Sequence, residues 1–161
     1  MPQPRLRRRA TSLVGAAVLA ATVSACARQG PPEITFYSDR TTVVAGPQVL
    51  CSLDFTSCTQ GEAAQLDVPP GRVLQVSLPS EIFDAPWRML TAYTDARGQQ
   101  QVRDVYYRPG ERLAVTVDLG DPAAVLQFVE IQLPSGATNA DGTPVARGSW
   151  SVQNAYDPHA G

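Results

Sequence analysis

Apolar and polar residues alternate along most of the chain with a period of two. One clear example places Leu74, Val76 and Leu78 on one side and Gln75 and Ser77 on the other. Such alternation is typical of a β-strand with one face in a core and the other in solvent. It predicts strands over residues 33–38, 41–44, 49–55, 72–78, 87–94, 112–119, 125–133 and 148–153.

Turn-forming dipeptides separate the predicted strands, and helical periodicity is scarce. The dipeptides include Gly46-Pro47, Pro70-Gly71, Arg97-Gly98, Pro109-Gly110 and Asp141-Gly142. After the N-terminal segment, no stretch of a dozen residues has the helical period, and only short helical turns such as Ser80–Phe83 are predicted. Many short strands without intervening helices predict an all-β fold, an antiparallel two-sheet sandwich of immunoglobulin-like type, over residues 33–154.

Two segments carry specific expectations. In residues 49–55 the alternation puts Leu53 and Phe55 on the same face as Cys51, so we expect all three to point inward. Residues 134–148 are small and polar, and they predict a long loop. The last residues, 155–161, are expected to form a flexible tail.

The N-terminus has the pattern of an export signal. Four arginines, at positions 5, 7, 8 and 9, precede an uncharged run of 14 residues from Ala10 to Val23. A run of that length suits a signal peptide and is short of the roughly 20 residues that a membrane-spanning helix needs. We therefore expect residues 1–25 to be cleaved.

The end of this segment predicts a lipid anchor. The order Val23-Ser24-Ala25-Cys26 is an aliphatic residue, two small residues and a cysteine, and it is similar to a bacterial lipobox. In such proteins the thiol takes a diacylglyceryl group carrying fatty acyl chains such as palmitate, and the signal is cut just before it. This predicts a short tether over 26–32 and a domain on the extracytoplasmic face of the cell membrane. The alternative is an ordinary small-x-small cleavage site beside an incidental cysteine.

Cysteine parity favours lipidation over that alternative. The chain has three cysteines, and export predicts an oxidising environment in which cysteines pair. A disulfide between Cys51 and Cys58 leaves Cys26 for the lipid. A two-cysteine metal site is the rival interpretation, but it lacks histidine or further thiol partners.

Composition narrows the chemistry. The chain has no lysine and one histidine, His159, near the C-terminus, so a lysine-based phosphate loop or Schiff base and a multi-histidine metal site are excluded. The formal net charge is −2, and it becomes about −6 when the four arginines of the signal are removed, which disfavours nucleic acid as a partner. We expect no enzymatic activity, no catalytic residue, no metal and no cofactor.

Four residues are candidates for binding: Trp87, Tyr106, Tyr107 and Arg108. Trp87 opens a strand with two possible faces and would be either a core residue or a platform for a ligand. Tyr106 and Tyr107 are adjacent, so one of them must point outward if the segment is a strand. A tyrosine beside an arginine on a surface suits contacts with a protein or a glycan. The alternative is a tyrosine that packs its ring and caps a backbone group.

Several short motifs in a fixed order resemble an uncharacterised family of small actinobacterial envelope lipoproteins. Besides the lipobox, they lie at residues 32–39, 51–58, 68–72, 78–82 and 85–88. The resemblance implies a location in the cell envelope and a domain of unknown function. It implies no activity.

Together these patterns predict a membrane-anchored lipoprotein that acts as a non-catalytic binding module for an envelope protein, glycan or lipid. One alternative is a carrier of lipid or another small ligand, which needs an apolar cavity between the sheets lined by Trp87 and Phe83. A second alternative is a hydrolase, which needs two converging carboxylates from among Glu81, Asp84, Asp104 and Glu111.

Overall fold

A computed structural model describes residues 30–158 as an all-β domain with one short helix. The helix, α1, spans Ser80–Phe83 as the sequence predicts. The strands are β1 Ile34–Ser38, β2 Thr41–Ala45, β3 Val49–Cys51, β4 Cys58–Gln60, β5 Ala64–Leu66, β6 Leu74–Ser77, β7 Trp87–Thr94, β8 Gln100–Tyr107, β9 Ala114–Val117, β10 Val125–Thr138 and β11 Pro144–Asn154.

The strands form two sheets, which confirms the predicted two-sheet architecture. The smaller sheet has the order β2-β1-β6-β9. The larger has the order β4-β3-β11-β10-β7-β8, and β5 pairs with the end of β11. The β5–β11 pair is parallel, whereas the other pairs within residues 30–158 are antiparallel. The side chain of Asn154 secures this corner, because its amide donates to the carbonyl oxygens of Val68 and Leu126.

The core lies between the sheets and contains both tryptophans. Trp87 of β7 and Trp150 of β11 are completely buried. Around them pack the inward side chains of both sheets, among them Ile34, Phe36, Leu74, Val76, Met89, Val117, Val129, Ile131 and Val152. This packing decides between the two possible faces of β7: Trp87 and Met89 point inward, and Arg88 points outward.

The two tryptophans differ in their hydrogen bonding. The Trp150 indole nitrogen donates to the carbonyl oxygen of Pro32 at 2.7 Å, which fastens the start of the domain to the core. The Trp87 indole nitrogen is buried and finds no partner among the described residues. A donor buried without a partner adds no hydrogen-bond energy to the folded state.

The expectation for residues 49–55 is wrong beyond Cys51. The strand ends there, and residues 52–57 form a tight loop that leads back into β4. Leu53 is 83% exposed and Phe55 is 43% exposed. The period-two pattern misleads because the Asp54 side chain accepts hydrogen bonds from Ser52 and Thr56, which close the loop locally.

The predicted long loop over 134–148 is also wrong. β10 continues to Thr138 and β11 begins at Pro144, so most of this segment is a β-hairpin. The pairing shifts on both sides of Pro134, as expected where proline removes a ladder donor. Gly142, with a φ of 83°, lies in the tight turn between the strands.

Three strands have no predicted counterpart: β4, β5 and β8. Strand β8 is a polar edge strand, and none of its eight residues is fully buried, so its sequence carries little alternation. Within residues 30–158 the single helix, α1, has four residues, far fewer than a helical membrane span needs. The predicted signal peptide 1–25, Cys26, tether residues 27–29 and residues 159–161 of the predicted tail lie outside the described residues.

The tryptophan hydrogen bonds can be tested as a matched pair. Trp150→Phe removes a buried donor and leaves the Pro32 carbonyl oxygen unpaired, whereas Trp87→Phe removes a donor that has no partner. We expect Trp150→Phe to lower the free energy of unfolding by about 1 kcal/mol more than Trp87→Phe does. Urea unfolding of both variants measures the difference, and an equal or larger loss for Trp87→Phe would contradict it.

Candidate functional site

The structure separates the four candidate binding residues into three environments. Tyr106 and Tyr107 point to opposite faces of β8, as neighbours in a strand must. Tyr107 is paired with Trp87 across the two strands, and their rings stack with centroids 4.0 Å apart and an interplanar angle of 14°. Arg108 follows the last residue of β8 and begins a turn, in which the Glu111 backbone nitrogen donates to the Arg108 carbonyl oxygen.

Trp87 belongs to the core, and Tyr107 is half-buried and packs against it. Trp87 is fully buried, and its ring is covered by that of Tyr107, so it offers no platform to a ligand. A groove of about 440 Å³ reaches Tyr107 at the open edge between the sheets, where Glu111, Arg112 and Val115 line it. Burial raises the pKa of the Tyr107 hydroxyl, and nearby Arg112 offsets part of that rise. This groove does not reach Trp87, so the arrangement does not favour a carrier that uses Trp87 and Phe83.

Tyr106 belongs to an ordered polar cluster on the outward face of the larger sheet. The Arg88 guanidinium donates from Nε and Nη2 to the two carboxylate oxygens of Asp104, at 2.8 Å each. It also lies 5.2 Å from the centroid of the Tyr106 ring, and Nη1 donates to the Gln132 side-chain oxygen at 3.4 Å. These four residues are called the Arg88 cluster below.

The strand register brings the Arg88 cluster together. Arg88 is paired with Tyr106 on β8 and with Gln132 on β10. Asp104 faces Leu90, one outward position further along, so the Arg88 side chain reaches it diagonally. The bonds to Asp104 raise the pKa of Arg88. Because the Arg88 side chain is only 14% exposed, this two-bond pair is more rigid than a typical surface ion pair.

An apolar strip continues the same face beyond the Arg88 cluster. Val102 is 70% exposed, and Ala92 and Phe128 beside it are half-buried. A groove of about 330 Å³ lies along these three residues. Tyr106 itself is 55% exposed. The cluster and the strip together form what we call the outer face, which combines a fixed cation, an aromatic ring and exposed apolar area, as protein-binding surfaces do.

The remaining candidate residues are held in separate local contacts. The Arg108 backbone nitrogen donates to the carboxylate of Glu111 at 2.9 Å, which closes the turn after β8. Glu81 accepts a hydrogen bond from the Ser80 hydroxyl, and Asp104 is engaged with Arg88. These local bonds do not favour a hydrolase that works with two of these carboxylates.

Sequence reasoning missed most of the Arg88 cluster and its apolar neighbours. Arg88 lies on one of the two faces that the pattern allows for β7. Its partners Asp104 and Tyr106 lie on β8, which the alternation does not reveal as a strand. Once β8 is known, the period of two would have placed Val102, Asp104 and Tyr106 on one face.

The predicted disulfide between Cys51 and Cys58 is present, with an S–S distance of 2.04 Å. It joins β3 to β4 and closes the loop of residues 52–57. Within that loop Asp54 accepts bonds from the Ser52 hydroxyl, the Thr56 hydroxyl and the Thr56 backbone nitrogen, and these lower the pKa of Asp54 to about 2. The loop is therefore closed both covalently and by hydrogen bonds.

Comparison with known proteins shows a family without an assigned role. Residues 27–155 match the family model described as "Protein of unknown function (DUF2771)". The uncharacterized protein Rv0875c of Mycobacterium tuberculosis and the uncharacterized protein Mb0899c of Mycobacterium bovis are each 32% identical to the chain, over 76% of its length and 76% of theirs. No solved structure matches the chain.

The two neighbouring tyrosines give a direct test of the site's geometry. Tyr107→Ala removes a ring stacked on a core tryptophan, and we expect the free energy of unfolding to fall by about 2 kcal/mol. Tyr106→Ala removes an exposed ring over Arg88, and we expect a loss of only about 0.5 kcal/mol. Chemical denaturation measures both changes. Similar losses for the two variants would mean that the assignment of their faces is wrong.

Proposed function

Because the chain belongs to the DUF2771 family of unknown function, its role must be inferred from its own residues, and we propose that it is an exported, lipid-anchored binding protein of the cell envelope. Cys26 carries the diacylglyceryl anchor at the extracytoplasmic face of the membrane. The domain of residues 33–154 is a non-catalytic module, and its outer face binds a protein partner.

Three features of the chain support the anchor. The arginine-rich start, the uncharged run of 14 residues and the lipobox ending at Cys26 occur in the order that lipidation requires. The disulfide joins Cys51 and Cys58, so Cys26 is the one cysteine of this sequence that the disulfide does not use. The family resemblance points to the same compartment.

One observation carries the binding role: the Arg88 cluster is rigid and yet accessible. The Arg88 guanidinium is fixed by two bonds to Asp104, while the Tyr106 ring beside it is 55% exposed. A side chain that is already immobilised loses little further entropy on binding. Exposed Val102 supplies apolar area next to the cluster.

A protein suits this surface better than a glycan or a lipid does. The charge of Arg88 is balanced by that of Asp104, so the cluster has no free cation for an anionic headgroup. The apolar strip lies next to an aromatic ring, and aromatic and apolar area is enriched at the centre of protein interfaces.

We also propose that the sandwich is immunoglobulin-like. Support comes from the two facing sheets and from a tryptophan packed in the core on a central strand of the larger sheet. The disulfide joins neighbouring strands of one sheet, which differs from the bridge between sheets in antibody domains.

The anchor is tested by metabolic labelling with an alkyne analogue of palmitate in an actinobacterial host. The wild-type chain should become labelled, and its processed N-terminus should be residue 26. Cys26→Ser should abolish labelling, since the thiol is the acceptor, while the control Val102→Ala should be labelled like the wild type. Labelling that persists in Cys26→Ser, or an unlabelled wild type, would exclude this anchor.

The outer face is tested by placing a photo-crosslinking amino acid at position 106 in intact cells, with the exposed position Leu113 as a matched control. We expect a discrete protein product from position 106 that position 113 does not give. Arg88→Ala should reduce that product several-fold, because the outer face loses the guanidinium that two bonds to Asp104 hold in place beside position 106. Equal products at both positions, or none at 106, would contradict the proposal.

A further inference from the structure

We infer that the disulfide-closed loop of residues 52–57 dips its two apolar side chains, Leu53 and Phe55, into the outer leaflet of the membrane beside the lipid anchor. The inference rests on the proposed anchoring at Cys26. It assigns a second membrane contact to this chain, on a surface separate from the outer face.

The loop offers two large apolar side chains to its surroundings. Leu53 is 83% exposed and Phe55 is 43% exposed, and they lie two residues apart in the same short loop. An isolated exposed apolar residue is ordinary, but this loop exposes both a leucine and a phenylalanine within six residues. Amphipathic membrane-surface segments bind by burying residues of this kind at the boundary of headgroups and acyl chains.

The loop is held in shape before it meets a partner. The Cys51–Cys58 disulfide closes its base, and the Ser52 backbone nitrogen donates to the Ser57 carbonyl oxygen at 2.8 Å. Phe55 has a φ of 58°, in the left-handed region that costs a bulky residue of order 1 kcal/mol. The closed loop overcomes that cost and holds the ring half-exposed, so insertion needs little reordering.

The loop lies next to the point where the anchor segment meets the domain. Pro31, Leu50, Leu53 and Arg147 line one open groove of about 580 Å³. The Trp150 indole nitrogen donates to the Pro32 carbonyl oxygen at 2.7 Å, and this bond holds the chain in place next to the groove.

The length of the tether then limits the distance of this groove from the membrane. Cys26 precedes Pro31 by five residues, which span at most about 18 Å when fully extended. A cysteine whose acyl chains lie in the bilayer therefore keeps Pro31, and the groove it lines, near the headgroups.

Charge favours apolar contact as the mode of attachment. The processed chain is acidic, so it is not drawn to anionic lipid by its overall charge. Within the groove Arg147 supplies a local cation that can meet lipid phosphate groups. Asp54 lies in the same loop, but its carboxylate oxygen already accepts bonds from Ser52 and Thr56. The bilayer is thus the occupant that both the short tether and the apolar loop fit.

The test uses the full lipidated protein reconstituted in phosphatidylcholine–phosphatidylglycerol vesicles, some containing brominated lipids. The variants Phe55→Trp and Leu53→Trp each place a fluorescent reporter in the loop, and Val102→Trp places one on the outer face as a control. The native Trp87 and Trp150 are buried and give the same background in all three. Brominated acyl chains should quench the loop reporters about twofold or more, and leave the Val102→Trp signal at background.

The outcomes separate this inference from the anchor itself. Protein that carries its lipid and floats with the vesicles, but shows no more quenching at position 55 or 53 than at 102, contradicts the loop contact alone. The fluorescence of a loop reporter could also shift to the blue without being quenched by brominated lipid. That result would mean that protein, and not lipid, covers the loop, and it would contradict the inference as well. A chain that carries no lipid would contradict the proposed anchor. The labelling experiment detects that failure independently of the quenching measurement.

Discussion

The packing of two fully buried tryptophans between the sheets is the constraint on which the rest of the structure depends. The burial of Trp87 and Trp150 determines which residues of β7 and β11 face inward. Strand pairing then determines which residues of β8 and β10 face inward. Because successive strand residues point to opposite sides, a slip of one residue would exchange core and surface along a whole strand. Burial of the indoles therefore determines that Arg88 and Tyr106 meet on the outside.

That constraint leaves two surfaces with different chemistry. The outer face combines an immobilised ion pair with an aromatic ring and exposed valine, whereas the loop of residues 52–57 presents apolar side chains on a covalently closed hairpin. The loop lies beside Pro31, where the tether enters, and the outer face lies on strands β7, β8 and β10. In our account one surface attaches the protein to the membrane and the other meets its partner.

The sequence predicts those parts of the fold whose strands are buried on one face. The alternation identifies the inward face of β6 and predicts β7 as a strand, although it leaves two faces open for β7, and cysteine parity predicts the disulfide. It fails where hydrogen bonds or edge exposure override alternation. Alternation makes Leu53 and Phe55 look like strand residues. They lie instead in a loop closed by hydrogen bonds from Ser52 and Thr56 to Asp54, and the spacing of the residues does not reveal those bonds.

The candidate site is recovered only in part for the same reason. Strand β8 is a polar edge strand, so the sequence does not reveal the pairing of Arg88 with Tyr106 or the bonds to Asp104, and it does not distinguish Tyr106 from Tyr107.

Chemical nitration of the folded protein, read residue by residue by fragmentation mass spectrometry, tests most directly whether Tyr106 and Tyr107 lie on opposite faces. Tyr106, which is 55% exposed, should be modified faster than Tyr107, whose half-buried ring is stacked on Trp87. Equal modification of both rings, or earlier modification of Tyr107, would contradict the arrangement of the sheet and the outer face built on it.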